Sequence, residues 1–328
     1  TNRAWAQRLR ATGLSTSLGS GTLGRALEDA GAAGVIASYW SQGWGVQKVF
    51  HTRNEKAPAL DLSCEDYNLL FRLAERGQNP TVRLRADAEF TGEVPTFNTI
   101  AVIRGSEKPN EYVMLSAHFD SWDAASGATD NATGTVTMLE AMRILRQVYP
   151  NPKRTILVGH WTSEEQGLNG SRAFTEDHPE IVAGLQALFN QDNGTGRVEN
   201  ISGAGLVGAG ESWGRWASQL PPELTRSIRW SFPGSPSGGG SDNASFICSG
   251  APGFNLSSGS WDYGTYTWHT NRDTYDKVSL DDVKLNATLT AMLAYLASED
   301  PQTVSRDRVV AVGDVNRGTA GRWPACGK

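Results

Sequence analysis

What most restricts this chain is a repeated pairing, in which an apolar, β-rich run ends at once in a cluster of acids, amides or histidine. Residues 112–117 lead into His118-Phe119-Asp120-Ser121-Trp122-Asp123, residues 155–161 into Thr162-Ser163-Glu164-Glu165, and residues 185–189 into Asn190-Gln191-Asp192-Asn193. Residues 98–103 form a further β-rich run. Thr129-Asp130-Asn131 stands just before a helical pattern over 133–148, with Val136, Leu139, Met142, Leu145 and Val148 on or near one face. Apolar runs alternating with helices predict an α/β domain whose mainly parallel sheet is covered on both sides. In such sheets ligands bind beyond the carboxyl ends of the strands, and that is where these clusters fall.

Further along, Trp268-His269-Thr270-Asn271-Arg272-Asp273 adds a second histidine cluster. Ser279 and Asp282 have the spacing of a capping box ahead of a long helix carrying Leu285, Leu289, Met292, Leu293 and Leu296. The first ninety residues read as a separate unit. A short helix and a buried strand are expected within 21–38, then a helix capped by Ser63 with Asp66 and stopped at Gly77. Tyr67, Leu70, Phe71 and Ala74 form its apolar stripe. Val82, Leu84, Ala86, Ala88 and Phe90 alternate with charged residues, the period of a half-buried strand. The Gly/Pro/Thr-rich residues 91–96 set a boundary near Gly92, giving domains 1–92 and 93–328.

Composition removes several classes of function. With 30 basic and 35 acidic side chains interspersed along 328 residues, the net charge is −5, and nothing is shaped to neutralise phosphates, so nucleic acid is excluded as a partner. The longest apolar stretches fall well short of the ~20 residues a membrane helix needs, so no membrane partner is expected. Three cysteines, Cys64, Cys248 and Cys326, allow one bridge and one free thiol, and neither a disulfide framework nor a thiolate zinc site. Few lysines, eleven tryptophans and Gly/Ser-rich loops fit a secreted or periplasmic enzyme, and the opening Thr1-Asn2-Arg3, without a signal-peptide pattern, fits a processed end.

Taken singly, the polar clusters have ordinary explanations. A histidine after a strand is commonly a hydrogen-bonded loop residue, adjacent glutamates a solvated helix start, and an aspartate before a helix an N-cap. Together, His118, Asp130, Glu165, Asp192 and His269 would pile up uncompensated charge unless a cation sat among them. Two imidazoles and at least three carboxylates suit zinc, or less specifically cobalt or manganese, and surplus carboxylate lets one side chain bridge two ions. His51, His160 and His178 have no such context.

Residues 97–105 (FNTIAVIRG), 116–134 (SAHFDSWDAASGATDNATG), 161–171 (WTSEEQGLNGS), 238–246 (GGGSDNASF) and 268–278 (WHTNRDTYDKV) resemble, in order, the co-catalytic zinc exopeptidases of metallopeptidase family 28. The resemblance runs over about residues 19–298. It implies a zinc-exopeptidase (phosphorylase/hydrolase-like) domain, with a mixed, mainly parallel sheet between helices, and a smaller protease-associated α+β domain over 1–92. It further implies two zinc ions and short peptide substrates. His118 and Asp192 would hold one ion, Glu165 and His269 the other, and Asp130 both, with Glu164 as general base. The chemistry agrees, because paired cations acidify a shared water and Glu164, beside a ligand without being one, can move its proton to the leaving amine. Asp120 could accept the second N–H of His118. Tyr263 or Tyr266 could steady the oxyanion, and Ser241 and Asp242 fall in the pocket loop.

Two positions depart from the family pattern. Asn131 replaces an acid that often follows the bridging aspartate, which makes the cis peptide often seen there less expected. Asn243 replaces the histidine of many aminopeptidases, which favours a carboxypeptidase or dipeptidase over an aminopeptidase. A non-catalytic, receptor-like relative would have lost ligands, and none is lost. A nucleophilic Thr1 would need a presenting strand that the following residues do not encode. The oligomeric state is left open, a dimer included.

Overall fold

The computed structural model describes residues 22–39, 41, 43–49, 54–87, 89, 91–236, 239–309 and 323–326. The chain divides into two compact units. One comprises Thr1–Val94, Trp122–Ser126 and Gly264–Thr274, and the other Pro95–Ser121, Gly127–Tyr263 and Tyr275–Lys328. The first break falls between Val94 and Pro95, and two later loops belong with the first unit. Thr1 and His51 lie outside the described residues.

In the first unit, α1 (Thr22–Asp29) precedes β1 (Val35–Ala37), which pairs in parallel with β2 (Ala59–Asp61). Glu28, at the end of α1, accepts the N–H groups of Glu55 at 2.9 Å and Ala57 at 3.0 Å, fixing the turn that enters β2. The helix α2 (Cys64–Glu75) begins as its sequence dictates: Ser63 Oγ accepts the Asp66 N–H at 3.2 Å and donates to Asp66 Oδ2 at 2.9 Å. Gly77, at φ +72°, ends it. Its apolar stripe is not a core face, since no residue of α2 is buried. The alternation begun at Val82 forms no strand among the described residues, and Val82 itself is 47% exposed. Ala88 and Phe90 lie outside them. Period two assigns side chains to faces, but a strand also needs a neighbour to take its N–H and C=O groups, and β1–β2 is a two-stranded sheet without it.

The second unit is built on seven strands: β3 (Thr99–Ile103), β4 (Lys108–His118), β5 (Arg154–Trp161), β6 (Leu185–Asn190), β7 (Val198–Ser202), β8 (Arg229–Ser231) and β9 (Gly253–Ser258). Their order is β3-β5-β4-β6-β9-β7-β8. The central β5, β4, β6 and β9 run parallel, while β3 and β7 are antiparallel to their inner neighbours. Every residue of β5 and β6 is buried, as expected of strands covered on both faces.

On one face, Val113, Leu115, Ala117, Ile156, Val158 and Phe189 pack with α3 (Thr133–Val148) and the long C-terminal helix Leu280–Glu299. On the other, Met114, Leu157, Trp161 and Leu188 meet Phe174 and Phe246, which lie on the helices Asn169–Asp177 and Asn243–Cys248. The buried side of α3 keeps Met142 and Leu145 of the expected stripe but not Val136, Leu139 or Val148. Val136 and Leu139 are about half exposed, and Met138, Ala141, Met142 and Leu145 form the contact, beside small Gly134 and Thr137 that bring helix and sheet close. The capping box before the last helix also fails to form. Ser279 Oγ donates to Asp282 Oδ2, but Asp282 is claimed by Arg197 at 3.1 Å and by the Trp261 indole at 3.2 Å. Cys248 and Cys326 are disulfide-bonded and Cys64 is free. No helix among the described residues is long and apolar enough to cross a membrane.

Candidate active site

Three parallel neighbours, β5, β4 and β6, end side by side. His118 is the last residue of β4, opposite Trp161 on β5, and Ser116 is opposite Asn190 on β6. Main-chain bonds extend this alignment into the loops, from Phe119 N–H to Trp161 O at 2.7 Å and from Gln191 N–H to Ser116 O at 3.1 Å. Beneath the loops runs a buried polar chain that the sequence reading did not single out. The Trp161 indole donates to Ser116 Oγ (2.7 Å), Ser116 donates to Asn190 Oδ1 (2.7 Å), and Asn190 Nδ2 donates to Ser241 Oγ (2.8 Å). The available signal was polarity inside an otherwise apolar strand, a serine between Leu115 and Ala117.

His118 is buried and its two nitrogens are set apart. Nδ1 donates to the main-chain carbonyl of Asp120 at 3.0 Å, while Nε2 lies 3.2 Å from Asp192 Oδ1 and 3.3 Å from Asp130 Oδ1. Donation from Nδ1 leaves the Nε2 lone pair directed at the two carboxylates, the tautomer a metal ligand requires. The Asp120 carboxylate, 3.7 Å from Nδ1, does something the sequence did not suggest. Its two oxygens accept the consecutive N–H groups of Glu164 (3.0 Å) and Glu165 (3.1 Å). A carboxylate after β4 therefore holds the glutamate turn after β5.

Asp130 sits in an irregular turn, Ala128–Ala132, that follows left-handed Gly127 (φ +61°), and its own backbone (φ −131°, ψ 85°) is not helical. Its carbonyl accepts Ser121 Oγ at 2.8 Å, and the Asp130–Asn131 peptide is cis despite the asparagine. Asn131 has its own task. Nδ2 donates to Gln191 O at 3.0 Å and Oδ1 accepts the Gly134 N–H at 3.2 Å, joining the Asp130 turn to the residue before Asp192. A carboxylate could make only the second bond. Gly134 has to be glycine, since a Cβ there would lie 2.4 Å from both Asn131 Oδ1 and Gln191 O.

His118, Asp130 and Glu165 each offer a ligand atom within 4.8 Å of the others, with Asp192 on the same imidazole nitrogen. Glu164 is half-buried, and Tyr263 directs its hydroxyl to Asp130. Tyr263 leans over left-handed Gly194, where a Cβ would come within 2.8 Å of its ring. Ser241 and Asp242 are buried at the start of the helix Asn243–Cys248, Asp242 completely, so they lie behind the site and not at an open surface. Tyr266 and His269 belong to the first unit, where the His269 ring lies 5.7 Å from that of Trp122 and 4.3 Å from that of Trp268.

The ionisation pattern measures the crowding of negative charge. Burial, then Asp192, Asp242 and Glu165, push Glu164 up to about 10 against the pull of His118. Burial with help from Asp192 and Asp120 pushes Asp242 up to about 7, and burial with Asp192 and Glu165 raises Asp130 to about 6. Burial disfavours protonated His118, yet Asp192, Asp120 and Asp130 outweigh it and raise its pKa well above the ordinary value. Burial likewise opposes ionised Asp120, but His118 and the two glutamate N–H groups hold it below the usual carboxylate range. An imidazole nitrogen converging with several carboxylate oxygens is the donor chemistry of zinc, and a cation there would reverse the upward shifts.

Residues 98–294, more than half of the chain, match the sequence profile of peptidase family M28. The chain belongs to this family. It is 28% identical over 269 residues to carboxypeptidase Q of Mus musculus, covering 82% of this chain and 56% of that protein. It is 33% identical over 219 residues to leucine aminopeptidase 1 of Coccidioides posadasii, covering 61% of this chain and 55% of that one. The chain thus spans about half the length of these curated relatives. Among solved structures, an M28 peptidase precursor from Shewanella amazonensis superposes with a TM-score of 0.70 at 24% identity, over 87% of this chain and 65% of that one. A zinc aminopeptidase from Bacillus subtilis gives 0.61 at 22%, over 89% and 70%. Both likenesses are of fold.

Proposed function

We propose that this M28 chain carries the catalytic machinery of a dinuclear zinc exopeptidase, acting outside the cytosol on terminal bonds of short peptides. The observation that carries this reading is His118. Its Nδ1–H is committed to a carbonyl, and its Nε2 faces Asp130 and Asp192 at the ends of adjacent parallel strands. His118, Asp130, Glu165 and Asp192 would hold the ions, with His269 carried over from the family pattern as the second nitrogen ligand. Zinc when bound supplies Lewis acidity toward a peptide carbonyl and toward water. Glu164, ionised once cations offset its acidic neighbours, accepts the proton of the attacking water and returns it to the leaving amine nitrogen. The Tyr263 hydroxyl, already at the carboxylate cluster, serves the oxyanion. The Cys248–Cys326 bridge supports a secreted or periplasmic location. The first ninety-two residues form the protease-associated part in this reading.

The test has two parts. About two zinc ions per chain, with hydrolysis abolished by chelation and restored by zinc, is expected, and an inert, metal-free protein refutes the enzyme. A panel of N-blocked dipeptides, free dipeptides and amino-acid amides then sets the polarity. Cleavage of the blocked substrates is expected for a carboxypeptidase, whereas cleavage restricted to free amines moves the assignment to an aminopeptidase or dipeptidase.

A further inference from the structure

The loop that carries His269 is held in an uncommon conformation by residues remote from it in sequence. His269 has φ +55°, a left-handed value that costs a non-glycine residue free energy and persists only where the surroundings impose it. Within the first unit, residues 47–49 run antiparallel to it, with Lys48 bridged to Thr270. The Val49 N–H donates to His269 O at 2.7 Å, and the Asn271 N–H donates to Gln47 O at 3.0 Å. The Gln47 N–H returns a bond to Asn271 Oδ1 at 2.9 Å. Lys48 is only 4% exposed. Its ammonium donates to Trp268 O (2.6 Å) and Gly264 O (3.1 Å) and lies 4.5 Å from the centre of the Trp268 ring, which itself lies against His269.

We infer that Lys48 is a positioning residue for His269. The peptide groups on both sides of His269 are tied to one short segment, the preceding carbonyl by the Lys48 side chain and its own by the main chain of Val49. With both ends fixed, the side chain leaves the backbone in one direction. A buried ammonium is expensive to desolvate, and here it is directed at main-chain carbonyls and an indole face of the histidine loop. Removing the ammonium takes this donor from the Trp268 and Gly264 carbonyls and frees the left-handed residue to relax. The inference rests on the reading of His269 as a zinc ligand.

The experiment titrates the full chain with zinc against a chromophoric chelator, for the parent, His269→Ala, Lys48→Met and Lys48→Arg, with thermal melting and kcat and KM alongside. Lys48→Met keeps the length and loses the donors. Expected is a loss of ~10- to 100-fold in affinity at one of two zinc sites, a lower kcat with KM little changed, and recovery of most of the affinity in Lys48→Arg. A lower melting temperature with both zinc affinities intact would make Lys48 a merely structural residue and overturn the inference. If His269→Ala itself keeps both zinc sites, the ligand reading fails instead. Should Lys48→Met not fold, Asn271→Ala loosens the same loop and reads the same quantity, and unchanged zinc affinity there overturns the inference too.

Discussion

Replacing Asp120 with alanine tests how the glutamate turn is positioned. The carboxylate accepts the N–H groups of Glu164 and Glu165 at 3.0 and 3.1 Å and lies 3.7 Å from His118 Nδ1. Hydrogen bonds to a charged group are worth about 1.5–3 kcal/mol each. The Asp120 side chain keeps 20% of its exposure, so solvent screening favours the low end, roughly 3 kcal/mol for the pair. At about 2–4 °C per kcal/mol, the second unit should melt some 6–12 °C lower. Because the turn carries Glu165, the proposed ligand, and Glu164, the proposed base, zinc affinity should fall about 10- to 100-fold as well. Asp120→Asn keeps one acceptor oxygen and should lose about half of each effect. The assay is a melting curve with and without zinc, paired with a competitive zinc titration. An Asp120→Ala protein with parental melting and parental zinc affinity would show that the turn is held by its own backbone, and the reasoning would fail.

The remaining predictions are simpler. Glu164→Gln should retain zinc, measured by elemental analysis, while turnover drops ~10²-fold or more; near-normal rates would place the base elsewhere. Asn131→Ala removes the links to Gln191 and Gly134 and should cost about 2–4 kcal/mol in denaturant unfolding, with Asn131→Asp in between because it keeps only the acceptor. Burial opposes ionised Glu111, but hydrogen bonds from buried Arg154 and from Lys108 outweigh it and hold its carboxyl below the ordinary 4.5. A pKa lowered by folding contributes stability above the unfolded value and loses it as pH falls through the folded one. Glu111→Gln should therefore flatten the acid limb of the stability curve, from roughly pH 5 downward, and an unchanged limb would exclude the Arg154 pair as its source.

The parts of the molecule legible in the sequence are those where one-dimensional order equals spatial order. Largely apolar runs gave the buried parts of β4, β5 and β6 because strands covered on both faces favour apolar side chains, and the residues just beyond them gather at one edge of the sheet. His118, Glu165 and Asp192 were placed near one another for that reason, and Asp130 by its position just before the helix Thr133–Val148. What escaped depends on partners far away in the chain. The Val82 alternation has no neighbouring strand, and Asp282 is bound by Arg197 and Trp261 in place of its expected cap. Val136 and Leu139 outrank Thr137 and Ala141 in hydrophobicity, yet the smaller pair lies where helix and sheet must approach closely. The two-oxygen grip of Asp120 depends on the spacing of two loops, which no local pattern encodes.

The buried relay from Trp161 through Ser116 and Asn190 to Ser241 has an implication for how such a centre can change over time. It works as a built-in ruler. Sliding β4 by a single position would swing its hydroxyl to the opposite side of the sheet and leave an indole and an amide stranded. Strand alignment is thus decided by a few buried atoms beneath the loops, and the carboxyl end of β4, where His118 stands, is fixed along with it.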